Sequence, residues 1–156
     1  MTSTRTIDSL DDAWSALTRI AAGPALLGHI RDLSGVTLHR SALVTLRRLA
    51  IDGPQLVSDL AERVGVDVST MSRLLRQLER EGLVERERQG GDQRCVQIQL
   101  TDAGIETDRR VSESRTVVLR QVIADWPQAD RDAFAALLNR FTDGLSDYLE
   151  QPVVAA

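Results

Sequence analysis

The sequence is poor in cysteine and in aromatic residues. Its 156 residues include one cysteine and five aromatic side chains. The single Cys95 excludes an internal disulfide, and with only His29 and His39 beside it the chain supplies too few ligands for a tetrahedral zinc site. We therefore expect no structural metal and no cofactor. The core must be built mainly from Leu, Val, Ile and Ala, a composition that favours helices.

The chain also lacks a long hydrophobic run and lacks lysine. No segment approaches the roughly 18–20 apolar residues that cross a bilayer, and the N-terminus lacks the apolar stretch of a signal peptide, so we expect a cytoplasmic protein. All 19 basic residues are arginine, and the net charge is −4. A nucleic-acid-binding domain usually carries a basic face. Any such face must therefore come from the arrangement of the arginines rather than from their number.

No motif of an enzyme active site is present. The sequence has no glycine-rich phosphate loop, no nucleophile elbow and no paired metal ligands. Its serines have no histidine nearby in a recognisable motif. We therefore expect that the protein is not an enzyme.

Apolar spacing and turn residues predict helices over the first third of the chain. Residues 9–12, Ser-Leu-Asp-Asp, have the spacing of a capping box and mark the start of a first helix. The Gly-Pro pair at 23–24 interrupts it, and the apolar stripe then resumes until Gly35. Thr37 is placed to cap a further helix that runs through Ile51.

The middle of the chain predicts two short helices followed by two strands. One helix covers about residues 55–63, and Asp67 is placed to cap the next, which ends before Gly82. Alternating side chains over residues 83–88 and 95–100 predict two strands joined by a hairpin loop. These are the only strands that the pattern predicts.

Two long helices follow, so that the element order is α-α-α-α-β-β-α-α. Thr101 caps one that runs to about residue 125, and the other covers about residues 128–150. The first and last helices carry apolar stripes at coiled-coil spacing, which the central segment is too small to cover. Partner helices of a second copy are the simplest cover, and an intramolecular helix pair is the alternative. The predicted dimerisation residues are Leu10, Trp14, Leu17, Phe134, Leu138, Phe141, Leu145 and Tyr148.

Residues 57–74 have the pattern of a helix-turn-helix. The small Ala61 stands where two helices cross, and Gly65 permits the backbone conformation of a sharp turn. The hairpin that follows at once makes the unit a winged helix. A plain helical hairpin is the alternative.

The helix after the turn is predicted to separate an apolar stripe from a polar side. At about 100° per residue, the stripe comprises Val68, Met71, Leu74, Leu75 and Leu78. The polar side suits the major groove, because Arg donates to guanine O6 and N7 while Ser and Thr reach phosphates or base edges. A solvated helix face is the alternative. The polar side and its flanks comprise Ser69, Thr70, Arg73, Arg76, Gln77 and Arg80.

Three motifs in this region resemble the MarR family of bacterial transcription regulators. Residues 92–94, Asp-Gln-Arg, followed by residues 100–104, Leu-Thr-Asp-Ala-Gly, resemble the family's wing signature, D-x-R then L-T-x-x-G. Residues 79–86, Glu-Arg-Glu-Gly-Leu-Val-Glu-Arg, resemble the junction from its recognition helix into the wing. The element order is similar over nearly the whole chain, although the terminal helices match in pattern only.

The resemblance implies a mainly α fold, a winged helix-turn-helix with a two-stranded β-wing and N- and C-terminal dimerisation helices. Residues 37–104 would form the DNA-binding lobe, and residues 1–36 and 105–156 the helical dimerisation region, within one continuous structural unit. It also implies a homodimer that reads a palindromic operator in double-stranded DNA, usually as a repressor released by a small molecule or an oxidant. A winged helix used for protein contacts, without DNA binding, is the alternative function.

Carried over residue by residue, the resemblance implies that Arg94 enters the minor groove and that Asp92 orients it. A salt bridge that shapes the hairpin is the alternative for this pair, and both can hold. The DNA-binding residues would be Ser69, Thr70, Arg73, Arg76, Gln77, Arg86, Arg88, Asp92 and Arg94.

The regulatory signal stays open. Some family members sense peroxides through a cysteine in the first helix, and this first helix has none. A lone cysteine on a strand, such as Cys95, is more often a small packing residue than a redox sensor. The resemblance places a ligand pocket between the dimerisation helices and the DNA-binding lobe. His29 and His39 would be near it, but each is more often a surface histidine, and the sequence does not identify a ligand.

Overall fold

The computed structural model describes residues 2–88 and 96–151, with all of their side chains except those of residues 2, 3 and 88. This part of the chain is mainly helical, as predicted, and contains seven helices and three strands. In order they are α1 (Thr2–Ala22), α2 (Pro24–Ser34), α3 (Arg40–Asp52), β1 (Gln55–Leu56), α4 (Val57–Val64), α5 (Val68–Arg80), β2 (Val84–Arg88), β3 (Val96–Leu100), α6 (Asp102–Val122) and α7 (Gln128–Glu150).

The first helix starts earlier than predicted. Helix α1 begins at Thr2, so residues 9–12 lie inside it and cap nothing. No proline or glycine stands before residue 9 to stop the helix from extending toward the N-terminus. The predicted interruption at 23–24 is confirmed, because Pro24 begins α2, where its missing N–H needs no partner.

The capping role predicted for Thr37 is wrong. Helix α3 begins at Arg40, with His39 as an N-cap that makes no side-chain capping hydrogen bond. Val36 is buried and Leu38 packs against the core. These two anchored side chains hold the segment before α3 outside the helix, and the exposed Thr37 lies between them.

A third strand, which the sequence did not indicate, completes the sheet. Gln55 and Leu56 form β1, which pairs antiparallel with β3 in the register Gln55↔Ile98 and Leu56↔Gln97. The order in the sheet is β1-β3-β2. The prediction of a helix from residue 55 was therefore wrong by two residues. A two-residue strand has no periodicity of its own, and its pairing with a distant strand decides its conformation.

The predicted antiparallel pairing of the two wing strands is confirmed. Strand β2 pairs with β3 from Val84↔Leu100 to Arg88↔Val96. The predicted hairpin loop, residues 89–94, and Cys95 lie outside the described residues.

The buried core lies between the helix-turn-helix and the sheet. Ala61, which is 2% exposed, lets α4 and α5 approach closely, as predicted. Because core side chains interlock at high density, this packing holds α5 firmly on the lobe. The largest fully buried apolar side chains are Leu46, Leu60, Met71, Leu75, Leu78 and Ile98.

The start of α6 is hydrogen-bonded to the start of the wing. The Thr101 N–H donates to the Leu83 carbonyl (3.2 Å), and the Thr101 hydroxyl donates to the Gly82 carbonyl (2.6 Å). The same hydroxyl accepts the Gly104 N–H (3.1 Å), which confirms Thr101 as the predicted cap. A Cβ on Gly104 would lie 2.0 Å from the Leu83 oxygen. The L-T-x-x-G motif thus joins the start of α6 to the wing, and only glycine fits at position 104.

The chain divides into two compact units, residues 1–115 and 116–156. In the second unit, the rings of Trp126 and Phe134 pack edge to face with their centroids 5.4 Å apart. The predicted span of α7 is confirmed, and none of its residues, all of which are described, is buried. Within the described ranges, no helix is both long and apolar enough to cross a membrane.

Candidate nucleic-acid interface

The turn between α4 and α5 depends on one glycine. Gly65 has φ +74°, in the left-handed region, and its N–H donates to the Glu62 carbonyl (3.1 Å). The next N–H, of Val66, donates to the Ala61 carbonyl (3.0 Å). These two hydrogen bonds end α4. A residue with a Cβ would adopt the positive φ of Gly65 only with strain. The predicted turn at Gly65 is confirmed.

Asp67 caps α5, as predicted, and also accepts hydrogen bonds from two hydroxyl groups. Its carboxylate accepts the Thr70 N–H at Oδ1 (2.9 Å) and the Thr70 hydroxyl at Oδ2 (2.6 Å). The Ser69 hydroxyl donates to Oδ1 as well. These bonds, that from Ser69 first, hold the pKa of the Asp67 carboxyl well below its usual range. Because the Asp67 carboxylate is ionised, the protons of the Ser69 and Thr70 hydroxyls point at Asp67 and not at solvent.

The predicted polar side of α5 faces solvent. Met71, Leu75 and Leu78 are buried beneath it. The position predicted for Val68 is wrong, because its side chain is 53% exposed and the turn residue Val66 packs against the core instead. The exposed polar residues are Ser69, Thr70, Arg73, Arg76 and Arg80, and Gln77 is half-buried.

The arginines of α5 line an open depression on this surface together with Gln77 and Glu79. The Arg80 Nε donates to the carbonyl of Arg76 (3.2 Å). Gln77 donates from Nε2 to Glu81 Oε1 (2.9 Å), a partner that sequence reasoning missed although the i, i+4 spacing indicates it. Within the described part of the chain, neither Arg73 nor Arg76 has a salt-bridge partner.

Arg86 reaches α5 from the wing. It lies opposite Ile98 in the sheet, and its Nε donates to Glu79 Oε1 of α5 (2.7 Å). The family resemblance implied a DNA contact for Arg86 and did not indicate this ion pair. The two residues belong to different elements and share no periodicity, so only the fold brings them together.

The other predicted DNA contacts of the wing lie at or beyond the end of β2. Arg88 is the last residue of β2, opposite Val96, and its DNA contact stays a prediction. Asp92 and Arg94 lie outside the described residues, so their roles stay predictions too. Glu85 and Gln99 lie on the face of the wing opposite to that of Arg86 and Ile98. There Gln99 donates from Nε2 to Glu85 Oε1 (2.9 Å).

The predicted dimerisation residues form apolar surfaces on two helices, each described by itself. On α1 the exposed fractions are 57% for Leu10, 45% for Trp14 and 59% for Leu17. On α7, Phe134, Leu138, Phe141 and Tyr148 are exposed and Leu145 is half-buried. Contacts of these residues with a second copy stay a prediction.

The two histidines are both exposed. His29 is exposed, with Nδ1 3.0 Å from the Ala25 carbonyl, and His39 is exposed at the start of α3. Among residues 2–88 and 96–151, no group of three His, Cys, Asp or Glu side chains is placed to hold a metal ion.

Part of the chain matches the model of a protein family. Residues 38–96 match the model of the MarR family. YxaD, an uncharacterized HTH-type transcriptional regulator of Bacillus subtilis (strain 168), is 30% identical over 110 residues, which cover 70% of this chain and 77% of YxaD.

Two solved structures have the same fold. A MarR family protein from Bacillus stearothermophilus aligns with a TM-score of 0.76 and 26% identity, over 92% of this chain and 97% of that one. A mutant of MepR from S. aureus bound to an oligodeoxyribonucleotide aligns with a TM-score of 0.59 and 23% identity, over 85% and 97%. The present chain belongs to the MarR family and is a helix-turn-helix transcriptional regulator.

Proposed function

We propose that this regulator binds a palindromic operator as a homodimer and represses transcription until a small-molecule effector releases it. The observation that carries the proposal is the exposed side of α5, where Arg73 and Arg76 have no ion-pair partner among the described residues. A guanidinium is a planar fork that donates to guanine O6 and N7 or to a phosphate. A helix with two such groups facing outward is suited to the major groove.

The homodimer is supported by the exposed apolar side chains of α1 and α7. An exposed apolar stripe on a helix marks an interface more often than open solvent. In the proposed dimer, residues 1–36 and 105–156 form the dimerisation region and residues 37–104 form the DNA-binding lobe. A two-fold axis would place the two α5 helices about 34 Å apart, one turn of B-DNA, which is why the operator should be a palindrome.

The proposed DNA contacts of the wing complete the interface. Arg94 enters the minor groove, oriented by Asp92, and Arg86 and Arg88 contact phosphates. In the free protein Arg86 is paired with Glu79, so its phosphate contact requires that pair to open. The MepR mutant, which shares the fold, is bound to an oligodeoxyribonucleotide, and this supports the proposal that the present chain binds DNA.

Binding is tested first on DNA from upstream of the protein's own gene. In a footprinting experiment the protein should protect two symmetric half-sites from cleavage. Fluorescence anisotropy should then give an affinity that falls by about 10³–10⁵-fold between 50 and 200 mM salt, the range for six to ten phosphate contacts. No footprint and a flat salt response would refute the proposal and favour a winged helix that binds an acidic protein.

The role of α5 is tested with a matched pair of variants. Arg73→Ala should weaken operator binding by about 5- to 150-fold for each half-site, which corresponds to the loss of one bidentate base contact. Arg48→Ala removes the same charge from the exposed surface of α3, outside the proposed DNA contacts and the dimerisation region, and should change affinity less than about twofold. Equal weakening by both variants would show a general charge effect and would exclude α5 as the recognition helix.

Dimerisation is tested by placing one charge on α7. Leu138→Asp should convert the dimer to a monomer in sedimentation, because it buries a carboxylate in the proposed interface. Ile51→Asp makes the same change on the exposed end of α3, outside the proposed interface, and should leave a dimer. A dimeric Leu138→Asp protein would contradict the proposed interface.

Repression and release are tested together. A reporter gene behind the footprinted operator should be expressed more strongly when the regulator is deleted, and the reverse result would identify an activator. The footprint is then repeated with candidate phenolic ligands and with an oxidant. Loss of protection with one of them would identify the class of effector, and protection that survives all of them would argue against release by these compounds.

A further inference from the structure

We propose that Asp67 is a positioning residue that makes Ser69 and Thr70 read amino groups of DNA bases. It would do so by holding both hydroxyl protons, so that each hydroxyl oxygen meets the DNA as an acceptor only. The inference rests on the proposed binding of α5 in the major groove. It narrows the sequence-based expectation, which allowed both residues to contact either phosphates or base edges.

The geometry around Asp67 determines the direction of each hydrogen bond. An ionised carboxylate accepts and never donates. The Ser69 and Thr70 hydroxyls must therefore donate to Asp67, and the Thr70 N–H is used by the same carboxylate. Each hydroxyl has only one proton, so only the lone pairs of its oxygen remain for another partner. Both side chains are exposed in the first turn of α5.

The chemistry of the major groove then limits what these oxygens can bind. The donors there are the N6 amino group of adenine and the N4 amino group of cytosine. Guanine O6 and N7, thymine O4 and the phosphate oxygens are acceptors, and two acceptors do not form a hydrogen bond. Ser69 and Thr70 are therefore matched to adenine or cytosine.

Arg73, further along the helix, has the opposite character because a guanidinium only donates. It is matched to guanine or to phosphate. The first turn of α5 thus offers acceptors and the next turn offers a donor. This order predicts that the base that Ser69 or Thr70 contacts, near the guanine that Arg73 contacts, is adenine or cytosine on the contacted strand and not thymine or guanine.

Asp67→Asn tests the inference with little change in shape. Asn is as good an N-cap as Asp, and its oxygen can still accept the Thr70 N–H. Its amide nitrogen, however, takes the place of Oδ2 and donates, so the Thr70 hydroxyl that faces it must accept and turn its own proton outward. Selection from a random-sequence duplex library, followed by sequencing, should show wild type enriching adenine or cytosine on the contacted strand at the position that Thr70 contacts. The variant should shift that position toward guanine or thymine by about 2- to 10-fold, the range for one hydrogen bond.

A background without the hydroxyls provides the control. In Ser69→Ala/Thr70→Val, Asp67→Asn should strengthen binding to every duplex, because it removes a negative charge near the phosphates, and should leave base preference unchanged. A shift in preference in this background would overturn the inference, since the effect would not pass through the hydroxyls.

The remaining outcomes are also decisive. If Asp67→Asn in the wild-type background changes affinity equally for all sequences, Asp67 has only an electrostatic or capping role and the inference is wrong. If wild type enriches no sequence at all, the proposed function itself fails, and this inference falls with it. Thermal melting followed by circular dichroism confirms that each variant is folded before it is used.

Discussion

Replacing Gly104 by alanine should disrupt the contact between the start of α6 and the wing. A Cβ built at this position lies 2.0 Å from the Leu83 oxygen, 3.0 Å from the Leu83 carbonyl carbon and 3.1 Å from Leu100 Cδ2, whereas ordinary contact begins at 3.4 Å. The obstacle is backbone and cannot rotate away. The same carbonyl accepts the Thr101 N–H, so moving it also strains that hydrogen bond.

The size of the effect of Gly104→Ala follows from three contributions. Overpacking costs about 1–3 kcal/mol, with larger values for contacts that cannot relax. Weakening the Thr101 hydrogen bond adds about 1 kcal/mol. The better helix propensity of Ala offsets about 0.5–1 kcal/mol. We therefore expect a loss of about 1–3.5 kcal/mol in the free energy of unfolding, which lowers Tm by roughly 2–14 °C for a chain of this length.

The matched control is Gly144→Ala in α7. A Cβ at Gly144 meets no atom within 4 Å, so the same substitution should raise stability by about 0.5–1 kcal/mol through helix propensity alone. Urea and thermal unfolding are followed by circular dichroism at one fixed protein concentration, because an oligomer's Tm depends on concentration. A Gly104→Ala protein as stable as wild type would refute the close approach of α6 to the wing.

Three further substitutions test other interactions. Arg47→Met removes the 3.1 Å ion pair of the buried Asp108, and because Arg47 is itself 43% exposed we expect a loss of about 1–2 kcal/mol in urea unfolding; an unchanged midpoint would argue against the pair. Gly65→Ala should cost about 1–2 kcal/mol from its positive φ alone, since a Cβ there meets no atom, and unaltered melting would contradict the turn. Glu79→Gln should strengthen operator binding by up to about fivefold for each half-site, because Arg86 then reaches its phosphate without first breaking an exposed ion pair; the same gain in an Arg86→Ala background would show a general charge effect and would contradict the phosphate contact of Arg86.

Much of the winged helix could be predicted because its signals are local. The caps at Asp67 and Thr101 and the turn at Gly65 each depend on hydrogen bonds or backbone angles within a few residues. The polar side of α5 follows from the helical period, which places residues three and four apart on one side.

Two of the misses come from interactions between distant parts of the chain, and a third comes from the position of a residue at the end of its helix. Strand β1 exists because residues 55–56 pair with β3, and the sequence of two residues cannot indicate that. Val68 satisfied the helical period but lies too near the end of α5 for the core to reach it. The partner of Arg86 was missed because Glu79 belongs to another element.

The amino acid sequence alone determined the family, the order of the helices and wing strands, and the residue types offered on α5. Hydrogen bonds within one turn and the period of a helix are properties of neighbouring residues, so they can be recognised without coordinates. The tertiary structure decided which of the arginines are already engaged: Glu79 holds Arg86, whereas Arg73 and Arg76 have no described ion-pair partner. A side chain's available donors and acceptors depend on every group within about 3 Å of it, whichever part of the chain those groups come from.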